Sequence, residues 1–320
     1  MKVLVTGAAG FIGSHLSERL VKMGYQVRGI DSFTPYYPRE YKEDNIVELK
    51  NSKDFDFIEG DILDVDVLET LHKVDYVFHL AAQPGVRASW SDFETYSKHN
   101  LRATHRLLEG CKKAKPKLFV FTSSSSVYGD AESYPTSERL RPMPISPYGV
   151  TKMAAERLCE LYYKYYQIPT VILRYFTVYG PRQRPDMALY RFIENLLINK
   201  EIVIYGDGNQ ARDFTYISDI VDGTVNTLEH DVIGETINLG RGEPVSINEA
   251  LKTVARFISN EPKIRFEPPK EGDALRTCAD IKKAKELLKY EPKVALKDGI
   301  ELQVRWQRSR LNKQKRVNDV

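Results

Sequence analysis

The sequence predicts an α/β fold in which helices cover a parallel, doubly wound sheet, with a smaller C-terminal lobe beside it. Two observations carry that expectation. As far as Arg174, short apolar runs alternate with amphipathic stretches of helical length, the pattern of parallel strands joined by helical crossovers. The chain also opens with an apolar run, Lys2-Val3-Leu4-Val5, that passes through Thr6-Gly7-Ala8-Ala9-Gly10-Phe11-Ile12-Gly13 into a segment with Ile12, Leu16, Leu20 and Met23 on one face. That is a strand, a glycine turn and a helix.

Glycines spaced G-x-x-G-x-x-G at such a turn let the backbone approach a pyrophosphate, which the free N–H groups of the helix start then stabilise. Gly7, Gly10, Phe11, Ile12 and Gly13 are therefore candidate dinucleotide contacts. A glycine triplet alone is a weak signal, but the second strand, Gln26 to Ile30, follows in the required order and makes the unit Rossmann-like. Asp31 closes that strand. A carboxylate there accepts hydrogen bonds from the adenosine ribose and repels a 2′-phosphate, which favours NAD over NADP.

Further strands are expected at Phe55 to Glu59, Tyr76 to Leu80, Leu118 to Thr122 and Val171 to Arg174, with helices near 64–72, 92–114 and 148–166. Beyond the fifth strand comes Ser124-Ser125-Ser126-Val127-Tyr128-Gly129, and then Ser146-Pro147-Tyr148-Gly149-Val150-Thr151-Lys152. Tyr148 and Lys152, four apart on a helix, lie on one face, so an ammonium can favour the phenolate. An unperturbed phenol titrates near ~10 and must come down towards neutrality to act as a base. Lys152 and a positively charged nicotinamide are the groups expected to do this, with Ser124 bonding the substrate hydroxyl. Taken alone, Tyr-x-x-x-Lys is common, and its weight comes from the glycine turn before it.

After Arg174 the pattern loosens, with turn signals at Gly180-Pro181, Gly206-Asp207-Gly208 and Pro268-Pro269. We expect a dinucleotide-binding domain over 1–176 and a substrate lobe mainly over 177–320. The 47 basic and 44 acidic residues leave +3, which gives no general reason for a polyanionic partner such as nucleic acid. Cys111, Cys159 and Cys278 are widely spaced with no C-x-x-C, as in reduced cytoplasmic proteins. The six histidines form no H-x-x-x-H pair, so no metal is expected. Met1 runs into the first strand and no apolar run reaches membrane-spanning length, so the expectation is a cytoplasmic protein with no membrane partner. In the tail Arg305 to Arg316, six of twelve residues are Lys or Arg, read as a solvated helix end.

Together the glycine turn, Asp31, Gly60-Asp61-Ile62, Leu80-Ala81-Ala82, the serine run and Tyr148/Lys152 resemble the extended short-chain dehydrogenase/reductase family over essentially the whole chain, nearest its nucleotide-sugar 4-epimerases. The resemblance implies NAD as cofactor and a UDP-sugar as substrate. It places Asp61 and Ile62 at the adenine, Leu80, Ala81 and Ala82 along the dinucleotide, and Asn100 and Tyr175 on the nicotinamide side. It also implies that parts of 213–240 return to the first lobe, making the substrate lobe discontinuous. A homodimer is implied through the helices near 92–114 and 148–166, whose apolar residues Leu107, Leu108, Cys111, Leu158, Leu161 and Tyr165 read either as exposed surface for that pairing or as ordinary core faces.

Within that family, 4,6-dehydratases carry Asp-Glu where this chain has Ser125-Ser126, and decarboxylases carry Glu at the position of Ser126, because both reactions need a carboxylate. With neither supplied, epimerisation remains. The stretch Arg174 to Ala188 and Gln83-Pro84-Gly85-Val86-Arg87 are similar to those of UDP-glucuronate 4-epimerases, where Ser125, Ser126 and Thr177 would offer hydroxyls to a C6 carboxylate, with Arg184 nearby. Simple strand-end satisfaction is the plainer reading of the serines. For Arg87, a structural salt bridge and a ligand contact weigh equally. Ile204 to Phe214 resembles the family's nucleotide clamp, with Tyr205 beside uracil and Arg212 on the diphosphate. Lys270-Glu271-Gly272-Asp273 falls where relatives have Arg-x-Gly-Asp, which brings in Asp273, although Lys cannot make the same fork. The alternatives are a UDP-hexose 4-epimerase, a decarboxylase, or an NAD-sensing regulator; regulators of this fold lose the Tyr and Lys, which are present here.

Overall fold

The computed structural model describes residues 1–318, with side chains through residue 313. Its strands are β1 (Lys2–Thr6), β2 (Gln26–Asp31), β3 (Phe55–Glu59), β4 (Tyr76–His79), β5 (Leu118–Ser124), β6 (Thr170–Tyr175), β7 (Thr177–Tyr179), β8 (Ile202–Tyr205), β9 (Ala211–Tyr216), β10 (Thr236–Leu239), β11 (Pro244–Ser246) and β12 (Ile264–Glu267). Its α-helices are α1 (Phe11–Lys22), α2 (Arg39–Lys50), α3 (Val67–Thr70), α4 (Phe93–Tyr96), α5 (Ala103–Ala114), α6 (Pro147–Tyr166), α7 (Ala188–Leu197), α8 (Ile217–Val225), α9 (Ile247–Ile258), α10 (Lys282–Leu288) and α11 (Leu296–Asn318).

Seven strands form one sheet in the order β10-β6-β5-β4-β1-β2-β3, all neighbours parallel. Both faces are covered, which is why these strands read as continuous apolar runs rather than alternating ones. Val3 and Val5 of β1 point into one core with Val120 and Leu173, while Leu4 points into the other with Phe119, Phe121 and Ile172. The strand order reverses between β1 and β4, and a crevice opens at their carboxyl ends, where parallel sheets bind ligands. Two smaller sheets, β11-β9-β7 and β12-β8, build the second lobe, and between β9 and β11 the chain returns as β10 to pair with β6, Thr236 opposite Ile172.

The second lobe is tied to that return by Asp213. Its fully buried carboxylate accepts from the backbone N–H groups of Arg241 (2.8 Å), Gly242 (2.9 Å) and Ala279 (2.8 Å), and from the Thr215 hydroxyl (3.2 Å). Burial raises its pKa and those donors oppose the rise. Asp213→Ala would leave three backbone donors without an acceptor, at about 1–3 kcal/mol each before relaxation. We expect a loss of at least about 3 kcal/mol, read from the urea midpoint; a midpoint like that of wild type would show that water replaces the carboxylate.

Four sequence expectations change. The helix foreseen near 64–72 contracts to α3, capped by Asp66, whose Oδ1 accepts from Leu68 and Glu69 N–H. The helix near 92–114 is interrupted by a π-helical turn at Ser97–Arg102. Leu107, Leu108 and Cys111 are not surface residues but core, packed with Phe119 and Cys159, because α5 lies flat on the sheet; the exposed apolar residues are Leu161 and Tyr165, joined by Phe93 and Val150. In the tail, Arg310 is 11% exposed, stacks on Tyr41 of α2 at 3.5 Å and lies 3.4 Å from Asp44, so it is packed rather than solvated. The side chains of residues 314–316 lie outside the described residues.

Candidate active site

A cleft of about 850 Å³ runs from the carboxyl ends of β1 and β4 into the second lobe. At its dinucleotide end Gly7 has φ +71°, and a Cβ there would stand 2.9 Å from the Ala81 nitrogen; a Cβ on Gly13 would stand 2.0 Å from the Gly7 oxygen. Glycine is required at both because strand, turn and helix meet backbone to backbone. Phe11 opens α1 behind Gly10, which offers no side-chain cap, so the first N–H groups of the helix face the cleft unclaimed by an acid. Asp31 is pinned by the N–H groups of Ala9 (3.2 Å) and Phe33 (2.9 Å), with the buried Lys42 ammonium 3.6 Å away. Asp61 and Ile62 line the same end, with Lys98 3.5 Å and His99 3.8 Å from the Asp61 carboxylate.

Leu80, Ala81, Ala82 and Tyr175 form the adjoining wall, and the Tyr175 hydroxyl bonds Thr224 at 2.6 Å. Asn100 is placed differently from expectation. It does not line the cleft; it is buried behind Gln83, accepting from the Gln83 N–H (2.7 Å) and donating to the Gln83 carbonyl (3.1 Å) and to Thr151 (3.0 Å). The π-turn gives it this register, since one extra residue in the turn brings its amide level with the Gln83 backbone.

At the middle of the cleft, β5 ends on Ser124 and α6 begins on Pro147, capped by Ser146 accepting from the Gly149 N–H at 3.1 Å. Tyr148 is thereby in the first turn, its N–H bonded to Ser89 (3.0 Å) and its ring edge-on to Tyr96 with centroids 6.2 Å apart. The Ser124 hydroxyl donates to that of Ser126 (3.1 Å) and accepts from the Ser126 N–H (3.2 Å). Burial raises the Tyr148 pKa, against the lowering influence of the Ser124 hydroxyl and the Arg184 charge. Lys152 instead turns its ammonium to the Thr122 carbonyl and the Phe121 ring, 4.4 Å away, and burial brings its pKa down to about 8. For Tyr148, burial therefore outweighs the groups that favour the phenolate.

The second lobe supplies the far wall. Arg87 forks onto Asp273 (2.6 and 3.2 Å) and lies over the Tyr205 ring at 4.2 Å, so its salt bridge is present and its charge still borders the cleft. Lys270 lies 5.0 Å from the same ring. Arg184 is engaged by Asp186 through two contacts, 2.9 and 3.0 Å, and Asp186 also accepts from the Tyr36 hydroxyl at 3.3 Å. Ser125, Ser126 and Thr177 line the cleft between Ser124 and that pair. Arg212 has a backbone carbonyl as its acceptor, and burial lowers its pKa, with Asp273 and Asp130 opposing. Among the described residues neither Arg212 nor Arg191, also in the wall, has a carboxylate within ion-pair distance. Two such cations in one wall suit a polyanion.

The sequence reading missed Lys42, Tyr36, Tyr96, Asp186 and Arg191. Arg191 sits on an amphipathic helix like any polar residue, and no local signal marks it. Among the described residues no cluster of three or more His, Cys, Asp or Glu is arranged to hold a metal, and no helix is long and apolar enough to cross a membrane.

A glycine turn at the switch point, faced by a serine, a tyrosine and a lysine, defines an enzyme of the extended short-chain dehydrogenase/reductase type. Residues 3–240 match the family described as NAD dependent epimerase/dehydratase, and the chain belongs to that family. It is 41% identical over 314 residues to the UDP-glucuronate 4-epimerase of Thermodesulfobacterium geofontis, covering 96% of each chain. It is 48% identical over 303 residues to the uncharacterized UDP-glucose epimerase YtcB of Bacillus subtilis, covering 94% of this chain and 96% of that one. Among solved structures, the UDP-glucuronic acid 4-epimerase of Bacillus cereus, in complex with UDP-glucuronic acid and NAD, superposes with a TM-score of 0.95 at 48% identity, covering 97% of this chain and 99% of that one. The residues here fit NAD: the Gly7 and Gly13 approach leaves room for a pyrophosphate, Asp31 is held at the strand end, and the wall contains two buried hydroxyls without partners, Thr122 Oγ1 and Ser123 Oγ.

Proposed function

We propose that the chain is a UDP-glucuronate 4-epimerase, interconverting UDP-glucuronate and UDP-galacturonate through a transient 4-keto sugar. One observation carries this choice of reaction. The carboxylates lining the cleft are Asp31 and Asp61 at the adenosine end, Asp186 on Arg184, and Asp273 on Arg87. None of the described lining residues offers a free carboxylate at the reaction centre, so general acid–base groups for dehydration or decarboxylation are lacking.

In this reading Tyr148 Oη takes the proton of the sugar 4-hydroxyl and returns it, Ser124 holds that oxygen, and Lys152 fixes the site by its charge. NAD, when bound, takes up and returns the C4 hydride and brings a positive charge beside Tyr148. Arg212, Arg191 and Tyr205 hold the uridine diphosphate, so the sugar can turn while its anchor stays. The keto intermediate is a β-keto acid, which loses CO2 when the carboxylate bond aligns with the ketone π system. Ser125, Ser126 and Thr177 hold the carboxylate out of that alignment.

Residues 1–176 serve as the NAD-binding domain and 177–320 mainly as the nucleotide-sugar lobe, with the 213–240 region contributing to both. A UDP-hexose 4-epimerase is the second reading, favoured by the Arg184–Asp186 pair, in which the cation expected near the sugar carboxylate already has a carboxylate partner.

Because the hydride is returned in every cycle, turnover should need no stoichiometric NAD. We expect the isolated protein, after many turnovers on UDP-glucuronate, to show no net accumulation of absorbance at the NADH wavelength. Stoichiometric reduction would mean a net dehydrogenase.

The exposed apolar stripe of α6, Val150, Leu161 and Tyr165, pairs with a second copy of the chain in this proposal. Leu161→Glu should convert the dimer to monomer in sedimentation velocity. A wild-type monomer at micromolar concentration would remove the dimer.

A further inference from the structure

We propose that Glu156 is a positioning residue that keeps Lys152 charged, and that Arg174 is the counter-ion that lets a carboxylate stand buried there. The inference rests on the catalytic reading of Lys152 given above. Tyr148, Lys152 and Glu156 follow one another at four-residue spacing along α6 and so share a face. Glu156 is 2% exposed and Arg174, on the adjoining β6, 4%. Arg174 makes a two-pronged contact, Nε to Oε1 at 2.9 Å and Nη2 to Oε2 at 2.7 Å, and its Nη1 donates to the Tyr128 hydroxyl at 2.8 Å. Tyr128 donates in turn to Asn238 at 2.8 Å. A buried chain of polar groups thus runs from behind the cleft to β10.

The surroundings of Lys152 explain why such a group is needed. From β5 it meets the Thr122 carbonyl and the Phe121 ring. From β4 it faces His79, which burial and the Lys152 charge bring down to about 3, so that it stays neutral. On α6 its titratable neighbours are Tyr148, Glu156 and Cys159, and β6 acts on it through the Arg174–Glu156 pair. Burial alone works against the ammonium; Glu156 works most strongly for it, with Cys159 second. Cys159 is itself buried and its pKa is pushed well above the ordinary value, so at neutral pH it is an uncharged thiol. Glu156 is then the charge that holds the proton on Lys152.

The sign of the pH dependence follows. The charged form of Lys152 is present below its midpoint and lost as pH rises through it. Removing the Glu156 charge moves that alkaline limb to lower pH; removing Arg174 leaves the Glu156 charge unopposed and does not.

The test compares E156Q, R174M and the double variant E156Q/R174M with wild type, each as the NAD-loaded full chain. Two readouts are taken: the ¹³Cε resonance of Lys152 against pH, assigned by its loss in K152M, and kcat for UDP-glucuronate against pH. In E156Q and in the double variant we expect both midpoints to fall by about one pH unit or more, with R174M at or above wild type. The double variant removes both members of the buried ion pair together and carries the test if E156Q does not fold. Wild-type midpoints in E156Q and the double variant, or an equal fall in R174M, would overturn the proposal and leave the pair a purely structural one. A shifted resonance with no turnover of any UDP-sugar by wild type would sustain this inference while ending the epimerase reading.

Discussion

Tyr148→Phe should reduce kcat for epimerisation by roughly 10²–10⁴-fold, the range for losing a positioned proton-transfer group, while the protein folds and retains its cofactor. The ring edge against Tyr96 survives the change, and so does the backbone N–H bond to Ser89. Only the ionisable oxygen goes, so the loss should appear in turnover rather than in the thermal midpoint. The effect is expected to be large because the oxygen already stands beside the Ser124 hydroxyl and within reach of the Arg184 charge, both of which favour its ionised form. Measured kcat above about a tenth of wild type, less loss than this role implies, would assign the proton to another group.

The second large effect is selectivity. UDP-glucuronate should be turned over with a kcat/KM about 10²-fold or more above that of UDP-glucose, because hydrogen bonds to a charged group are worth ~1.5–3 kcal/mol each and a neutral hydroxymethyl forgoes at least two of them. With Ser125, Ser126 and Thr177 as the proposed donors, Thr177→Val should harm the acid sugar more than the neutral one. Asp186 already engages the Nε and Nη2 of Arg184, so a sugar carboxylate would meet that side chain through Nη1. An Arg184→Gln variant that weakens both sugars equally would place that side chain with the diphosphate. The same chromatographic assay measures UDP-pentose, which should remain a trace product. Comparable efficiency on UDP-glucose would leave the hexose epimerase as the surviving function.

The parts of the site legible in the sequence are those in which local spacing and chemistry coincide. Strand, glycine turn, helix and Asp31 are contiguous, and Tyr148 and Lys152 lie on one helical turn. What could not be read is which partner each polar group had already taken. Arg184 is a free donor on paper and a bound one in the fold; Asn100 is spent on the Gln83 backbone; Lys42 looks like part of a polar surface helix and ends buried against Asp31. Lys152 reads as a partner for Tyr148 alone, and in the fold its ammonium also bonds the Thr122 carbonyl. Surface and core could not be told apart for the apolar residues on α5, because periodicity shows that a helix has an apolar face without showing what covers it.

The π-turn at Ser97–Arg102 has a consequence for how this chain tolerates changes in length. A π-turn holds one more residue than an α-helical turn, so a deletion inside it would restore a regular helix while leaving α4 and α5 close to their present relative orientation. Tyr96, whose hydroxyl donates to the carbonyls of Pro84 (2.6 Å) and Gly85 (2.7 Å), would keep its place before the turn, whereas Asn100, inside it, would lose its register with Gln83. Codon-sized deletions are usually harmless at loop tips and harmful in helices. Here a helix has stored a spare residue, and its loss would improve the regularity of the backbone while costing the bonds that Asn100 makes to Gln83 and Thr151.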